Sequence, residues 1–304
     1  MKKNSRINLL VMVIGFVLCY AGRLYQILCC TDMTTGFIYY EDSLPGGLVY
    51  YVPLVLVLVG MIAAALADCR NNASIARTDT ADIVDAKAAV IGFGMLLTGV
   101  CAVYGGVEKL SGGYTSAFSY FVDIILGAAI TVVAFVTLYK KEFSPGLGFS
   151  YVCGALYFML RGILVFLERM VITTVPEYLI ECLIAITAGV FFMLFVKLFS
   201  GNSGKRTRAA LCAVGGFGAV LCLSSSLATI VAGLIGPEEI ASRITSSRAE
   251  AFMYYQTHGG RDGYLLTWSP WAFLAVGLLM GAAVIVLGAS EKKKPAAESG
   301  NSPE

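Results

Sequence analysis

Apolar residues in this chain fall in long runs, and polar residues collect between them. Eight runs reach roughly the 20 residues that a hydrocarbon core about 30 Å thick requires at 1.5 Å per residue. They cover 7–29, 48–67, 88–107, 120–139, 149–167, 178–196, 209–235 and 270–289. None alternates with period two, which argues against a β-barrel. Helices satisfy their own backbone groups in lipid, so each run predicts a transmembrane helix. The expected fold is an all-α membrane protein, a bundle of eight transmembrane helices with short loops. Residues 1–290 form a single polytopic membrane domain, and 291–304 form a disordered cytoplasmic tail. The seventh run is long enough to tilt or break. Pro53 is expected near the outer end of the second span, where it need not kink the helix.

Composition agrees with the pattern. Of 304 residues, 58% are hydrophobic and 14% charged. Soluble domains carry about 25% charged residues, so a water-facing surface could not be covered. The first run follows Lys2, Lys3 and Arg6 as a signal peptide would. No Ala-x-Ala site ends it, and Leu18 precedes Cys19 where a lipobox wants a small residue, so an uncleaved first helix is expected.

Lysine and arginine then set the direction. With the N-terminus in the cytoplasm, the inner segments hold fifteen of them and the outer segments five, with Arg23 and Arg161 inside spans. Both termini are therefore expected inside. The clusters at 205–208 and 292–294 are expected to rest on anionic lipid, and a net charge of +2 gives no reason to invoke nucleic acid. Two outer loops, 31–46 and 236–269, are rich in acidic and aromatic residues. The second predicts an outer amphipathic segment starting near Pro237 and ending at Gly259 and Gly260, with Trp268 and Trp271 at the interface.

Candidate chemistry is sparse. Eight of the nine cysteines lie in or at the ends of spans, and His258 is the sole histidine. They read as small buried apolar residues, and neither a metal nor a cofactor is expected. No phosphate loop, H-E-x-x-H or G-x-S-x-G occurs, so the chain is not expected to be an enzyme. Glu238-Glu239-Ile240-Ala241-Ser242-Arg243 and Tyr254-Tyr255-Gln256-Thr257-His258 resemble the first two motifs of the CAAX-type membrane proteases. In that family the motifs lie on membrane helices and a further histidine completes the site. Here both fall in one outer loop with no second histidine, which leaves an ordinary helix start and a loop histidine. Arg23-Leu24-Tyr25-Gln26, followed by Asp32-Met33-Thr34-Thr35-Gly36-Phe37, is similar to the opening of uncharacterised multi-pass membrane proteins of Gram-positive anaerobic bacteria. That resemblance implies a bacterial plasma membrane and carries no activity.

Four ionisable residues fall inside spans: Arg23, Asp123, Arg161 and Glu181. Each costs about 2.5–3.5 kcal/mol at a helix centre and so should face the bundle interior. Both arginines lie about 9 Å below the outer membrane edge and both acids about 5 Å below it. Two readings stay open. In the first, the four line an outward-open polar pocket, and Arg161 anchors an anionic or zwitterionic solute with its fork of donors. Arg23 adds a second contact, while Asp123 and Glu181 balance charge or carry a coupled proton. The protein is then a small-solute permease or receptor, transporter-like. In the second, the four form two buried ion pairs, one acid to each arginine, in a non-transporting subunit that docks other membrane proteins. Arg23 could instead snorkel to the interface and Glu181 be solvated. Closed, mutually paired charges favour the subunit; a cavity with an unpaired arginine favours the permease.

Overall fold

The computed structural model describes residues 3–31, 43–71, 88–112, 117–140, 148–169, 176–199, 205–235 and 269–289. They form eight α-helices: α1 (Lys3–Tyr25), α2 (Ser43–Asn71), α3 (Ala88–Gly112), α4 (Ala117–Lys140), α5 (Gly148–Arg169), α6 (Pro176–Phe199), α7 (Lys205–Ile235) and α8 (Ser269–Ala289). A five-residue π-helix, Gln26–Cys30, continues α1. The tail 291–304, the amphipathic segment expected within 236–269 and His258 lie outside the described residues, as does most of the loop 31–46.

The all-helical membrane fold stands, and of the eight spans expected, seven are met among the described residues. Seven helices are long and apolar enough to cross a membrane. In α5 the described apolar stretch is Val152–Leu164, within the apolar run 149–167 of the sequence. Its 22 residues would reach about 33 Å. Arg161 lies inside that run, and Glu168 and Arg169 follow it.

The bundle is built around α7, which packs against α1, α2, α6 and α8. Its small residues make this possible. Gly215, Gly218, Cys222, Ser225 and Thr229 form a stripe along it and are all buried. The Gly277 backbone of α8 lies against Cys222 and Leu223 of α7. Such stripes let helices approach closely where lipid supplies no hydrophobic drive. Phe191, Phe192 and Phe195 of α6 fill the space beside α7 with stacked and edge-on rings. In α7 and α8 67% of the apolar window is buried, against 22% in α1 and 28% in α2. Helices α1 and α2 therefore form a thinly covered edge of the bundle.

Pro53 sits differently from expectation. The helix begins at Ser43, so the proline lies inside α2 and not at its outer end. Proline supplies no N–H, which leaves the Val49 carbonyl four residues back without its helical donor. At this point α1 comes in. A Cβ on Gly22 would lie 2.3 Å from the Val49 oxygen, so only glycine fits there. The seventh run is one unbroken helix of 31 residues, about 46 Å long, and must tilt or protrude from the core.

Candidate functional site: a shared guanidinium and a second polar node

Two ion pairs bring the Asp123 turn of α4, the Arg161 turn of α5 and the Glu181 turn of α6 to one end of the bundle. Arg161 is buried between the two acids. Its Nη2 donates to Glu181 Oε1 at 2.6 Å, and its Nη1 approaches Asp123 Oδ2 at 3.5 Å. Charged hydrogen bonds of this kind ordinarily span about 2.7–2.9 Å. Glu181 is thus the principal partner and Asp123 the looser one. Arg161 is 6% exposed, Glu181 5% and Asp123 0%. Glu181 is therefore not solvated at the membrane surface.

The rest of the shell is aromatic and small. Tyr157 lies one turn before Arg161, is buried, and faces Asp123. Phe158 stacks on Phe192 of α6 at 5.5 Å between centroids. A narrow recess reaches Arg161 from the bundle interior, lined by Thr98, Tyr157, Phe158, Ala185, Ala272 and Phe273 among others. Its volume of about 10 Å³ has room for about one water molecule. An amino acid or organic anion would not fit without helix movement.

Arg23 belongs elsewhere, so the four charges do not meet in one pocket. Nor does each arginine take one acid, because both acids turn to Arg161. Arg23 is 0% exposed and does not snorkel. Its Nη1 donates to Gln26 Oε1, one turn on in the π-helix. Gln26 Nε2 donates in turn to the Gly46 carbonyl of α2 at 2.9 Å. Thr31 Oγ1 closes the turn on the Gln26 carbonyl at 2.9 Å. The guanidinium sits 5.6 Å from the centroid of the Tyr50 ring, a cation–π contact worth about 2 kcal/mol when desolvated. The Tyr50 hydroxyl faces Ser224 of α7, without reaching hydrogen-bond geometry. This node ties α1, α2 and α7 together at the end of the bundle that also holds Arg161.

Gln26 and Tyr50 were not singled out from the sequence because they carry no charge. The available signal was spacing: Gln26 follows Arg23 by one turn, and Arg23 has no acid within four residues on its own helix. Gln26→Leu removes an acceptor from a buried guanidinium and a donor from the Gly46 carbonyl. It is expected to cost about 1–3 kcal/mol, read as a lower melting temperature of the detergent-solubilised protein.

Among the described residues no group of three or more His, Cys, Asp or Glu side chains could hold a metal ion. Comparison with known proteins returns no match: no family model, no curated protein and no solved structure resembles the chain. Any functional reading therefore rests on the residues just described.

Proposed function

We propose that this chain is a non-transporting, non-enzymatic subunit of a bacterial plasma membrane, docking other membrane proteins through helix faces and outer loops. One observation carries the reading: Arg161, the residue suited to anchor an anion, already holds the two carboxylates of its neighbours. Its charge acts within the protein, as a joint between α4, α5 and α6. The thinly covered faces of α1 and α2 supply the surface for lipid or a partner helix.

In this reading α5 is an eighth span and both termini are cytoplasmic. The charge pattern supports that count. Lys140 ends α4 and Lys141 follows it, while Lys205, Arg206 and Arg208 open α7. Both clusters favour the cytoplasm. With α6 long and apolar enough to cross, they share a side only if α5 crosses as well. Arg208 also donates to the Leu287 carbonyl near the end of α8, so the start of α7 and the end of α8 share one face of the bundle.

A second reading keeps the permease or receptor, with Arg161, Arg23, Asp123 and Glu181 contacting a small anionic or zwitterionic solute in another conformation. The recess at Arg161 favours it. Proteoliposomes separate the two. Purified protein should give no uptake of labelled amino acids, organic acids or inorganic anions above empty vesicles, with or without a proton gradient. Saturable uptake lost in Arg161→Gln would establish the permease instead.

A further inference from the structure

We propose that α5 and α6 move as one body within the bundle, and that the contact between Asp123 and Arg161 is the latch that holds this hairpin closed. The inference goes beyond the docking reading and does not depend on it. Inside the hairpin the contacts are close. Arg161 of α5 meets Glu181 of α6 at 2.6 Å, and Phe158 stacks on Phe192. A Cβ on Gly189 of α6 would lie 3.6 Å from the Met159 nitrogen of α5, so the two backbones are in ordinary contact. Helices α3, α4 and α8 form a second close-packed group. A Cβ on Gly99 of α3 would lie 2.7 Å from the Thr131 nitrogen of α4, and one on Gly94 would lie 3.1 Å from the Leu279 Cα of α8. Small residues let these helices meet backbone to backbone, where there is no side chain to yield.

The boundary between the two groups is looser. On the α4 flank the charged contact from Arg161 to Asp123 is 3.5 Å long. On the α7 flank the hairpin leans on side chains, the Phe191 ring against Gly215 and the Thr187 methyl against Gly218. The recess lies between these flanks. Arg161, Tyr157 and Ala185 line it from the hairpin, and Thr98 and Ala272 line it from α3 and α8. It is a gap between the groups and not a hole within either. Tightly packed elements shift as bodies, by hinge or shear. A swing of the hairpin along α7 parts the long ion contact and keeps the short one. Arg161 travels with Glu181, so the guanidinium keeps the carboxylate that a buried charge requires. Asp123 loses its guanidinium, and that cost makes the contact a latch.

Distances between paired spin labels test this on the full chain in lipid nanodiscs. The labels are attached through azidophenylalanine, placed at Phe93 and Phe166 or at Phe93 and Phe121. These side chains are exposed, and the native cysteines stay untouched. The first pair crosses the boundary from α3 to α5, and the second stays within α3 and α4. Asp123→Asn should add a longer component to the Phe93–Phe166 distribution and leave Phe93–Phe121 unchanged. Glu181→Gln should add none, because Arg161 then turns fully to Asp123. Ala272→Leu adds bulk on the α8 side of the recess. It should wedge the hairpin outward and add the longer component with the latch residues intact, and it stands in if Asp123→Asn does not fold. An unchanged Phe93–Phe166 distribution in both Asp123→Asn and Ala272→Leu, or in whichever of them folds, would overturn the proposal. So would a longer component in Glu181→Gln as large as in Asp123→Asn, or a matching change in Phe93–Phe121.

Discussion

Asp123→Asn with Glu181→Gln should destabilise the folded protein by about 3–5 kcal/mol, the usual cost of leaving one member of a buried ion pair uncompensated. The amides keep the shape and polarity of the acids, so the loss reports charge and not packing. Arg161→Met in the same chain should return most of it, because a buried pair replaced by apolar groups is often neutral or better. Arg161→Met alone should also destabilise, since it leaves two carboxylates facing each other out of water. Non-additivity is the signature. The triple variant must be more stable than the sum of the separate losses predicts. Thermal melts of the solubilised protein, with variants that insert normally, measure this directly.

Gly22→Ala should be the most damaging single change at the edge of the bundle, at about 1–3 kcal/mol by the usual cost of overpacking. The added methyl would meet the Val49 carbonyl at 2.3 Å, and backbone does not step aside. Gly216→Ala is the control. A Cβ there would come within 2.0 Å of Met61 Cε, nominally a worse clash, yet that atom ends a flexible chain. Methionine re-rotates, so Gly216→Ala should cost much less. A larger loss at Gly216 than at Gly22 would mean that α1 and α2 are not held backbone to backbone.

The helices were legible because the bilayer demands long apolar runs, and the runs at 120–139 and 270–289 sit inside α4 and α8. Two features of α2 were not. Its N-terminal turns begin in polar and glycine-rich sequence from Ser43, below the level an apolarity argument detects, which moved Pro53 into the helix interior. The π-turn at Gln26–Cys30 has no compositional mark, and it is this turn that gives Arg23 an amide partner.

The candidate site was legible in its members but not in its pairing. Depth along the helices correctly grouped Asp123, Arg161 and Glu181, because antiparallel neighbours bring equal depths to one level. Depth says nothing about azimuth. Arg23 shares the level, but the α1 helix that carries it packs against α2 and α7, while the acids belong to the α4–α5–α6 row. Charge alone also pairs ionisable residues only with one another. A buried arginine held by an amide and a tyrosine face was therefore not anticipated, although a glutamine one turn away and a tyrosine across the helix pair can do it.

The central claim is that Arg161 serves helix packing and not a ligand. A thermal-shift screen of the solubilised protein against small anions, amino acids and lipid headgroups tests it most directly, run in parallel on the unaltered chain and Arg161→Gln. A ligand at 100 times its dissociation constant stabilises by about 2.7 kcal/mol, well within reach of such a screen. The account predicts no ligand-dependent shift that Arg161 controls, and a lowered melting temperature for Arg161→Gln whatever is added. A compound that stabilises the unaltered chain, and fails on an Arg161→Gln protein that still melts cooperatively, would contradict it.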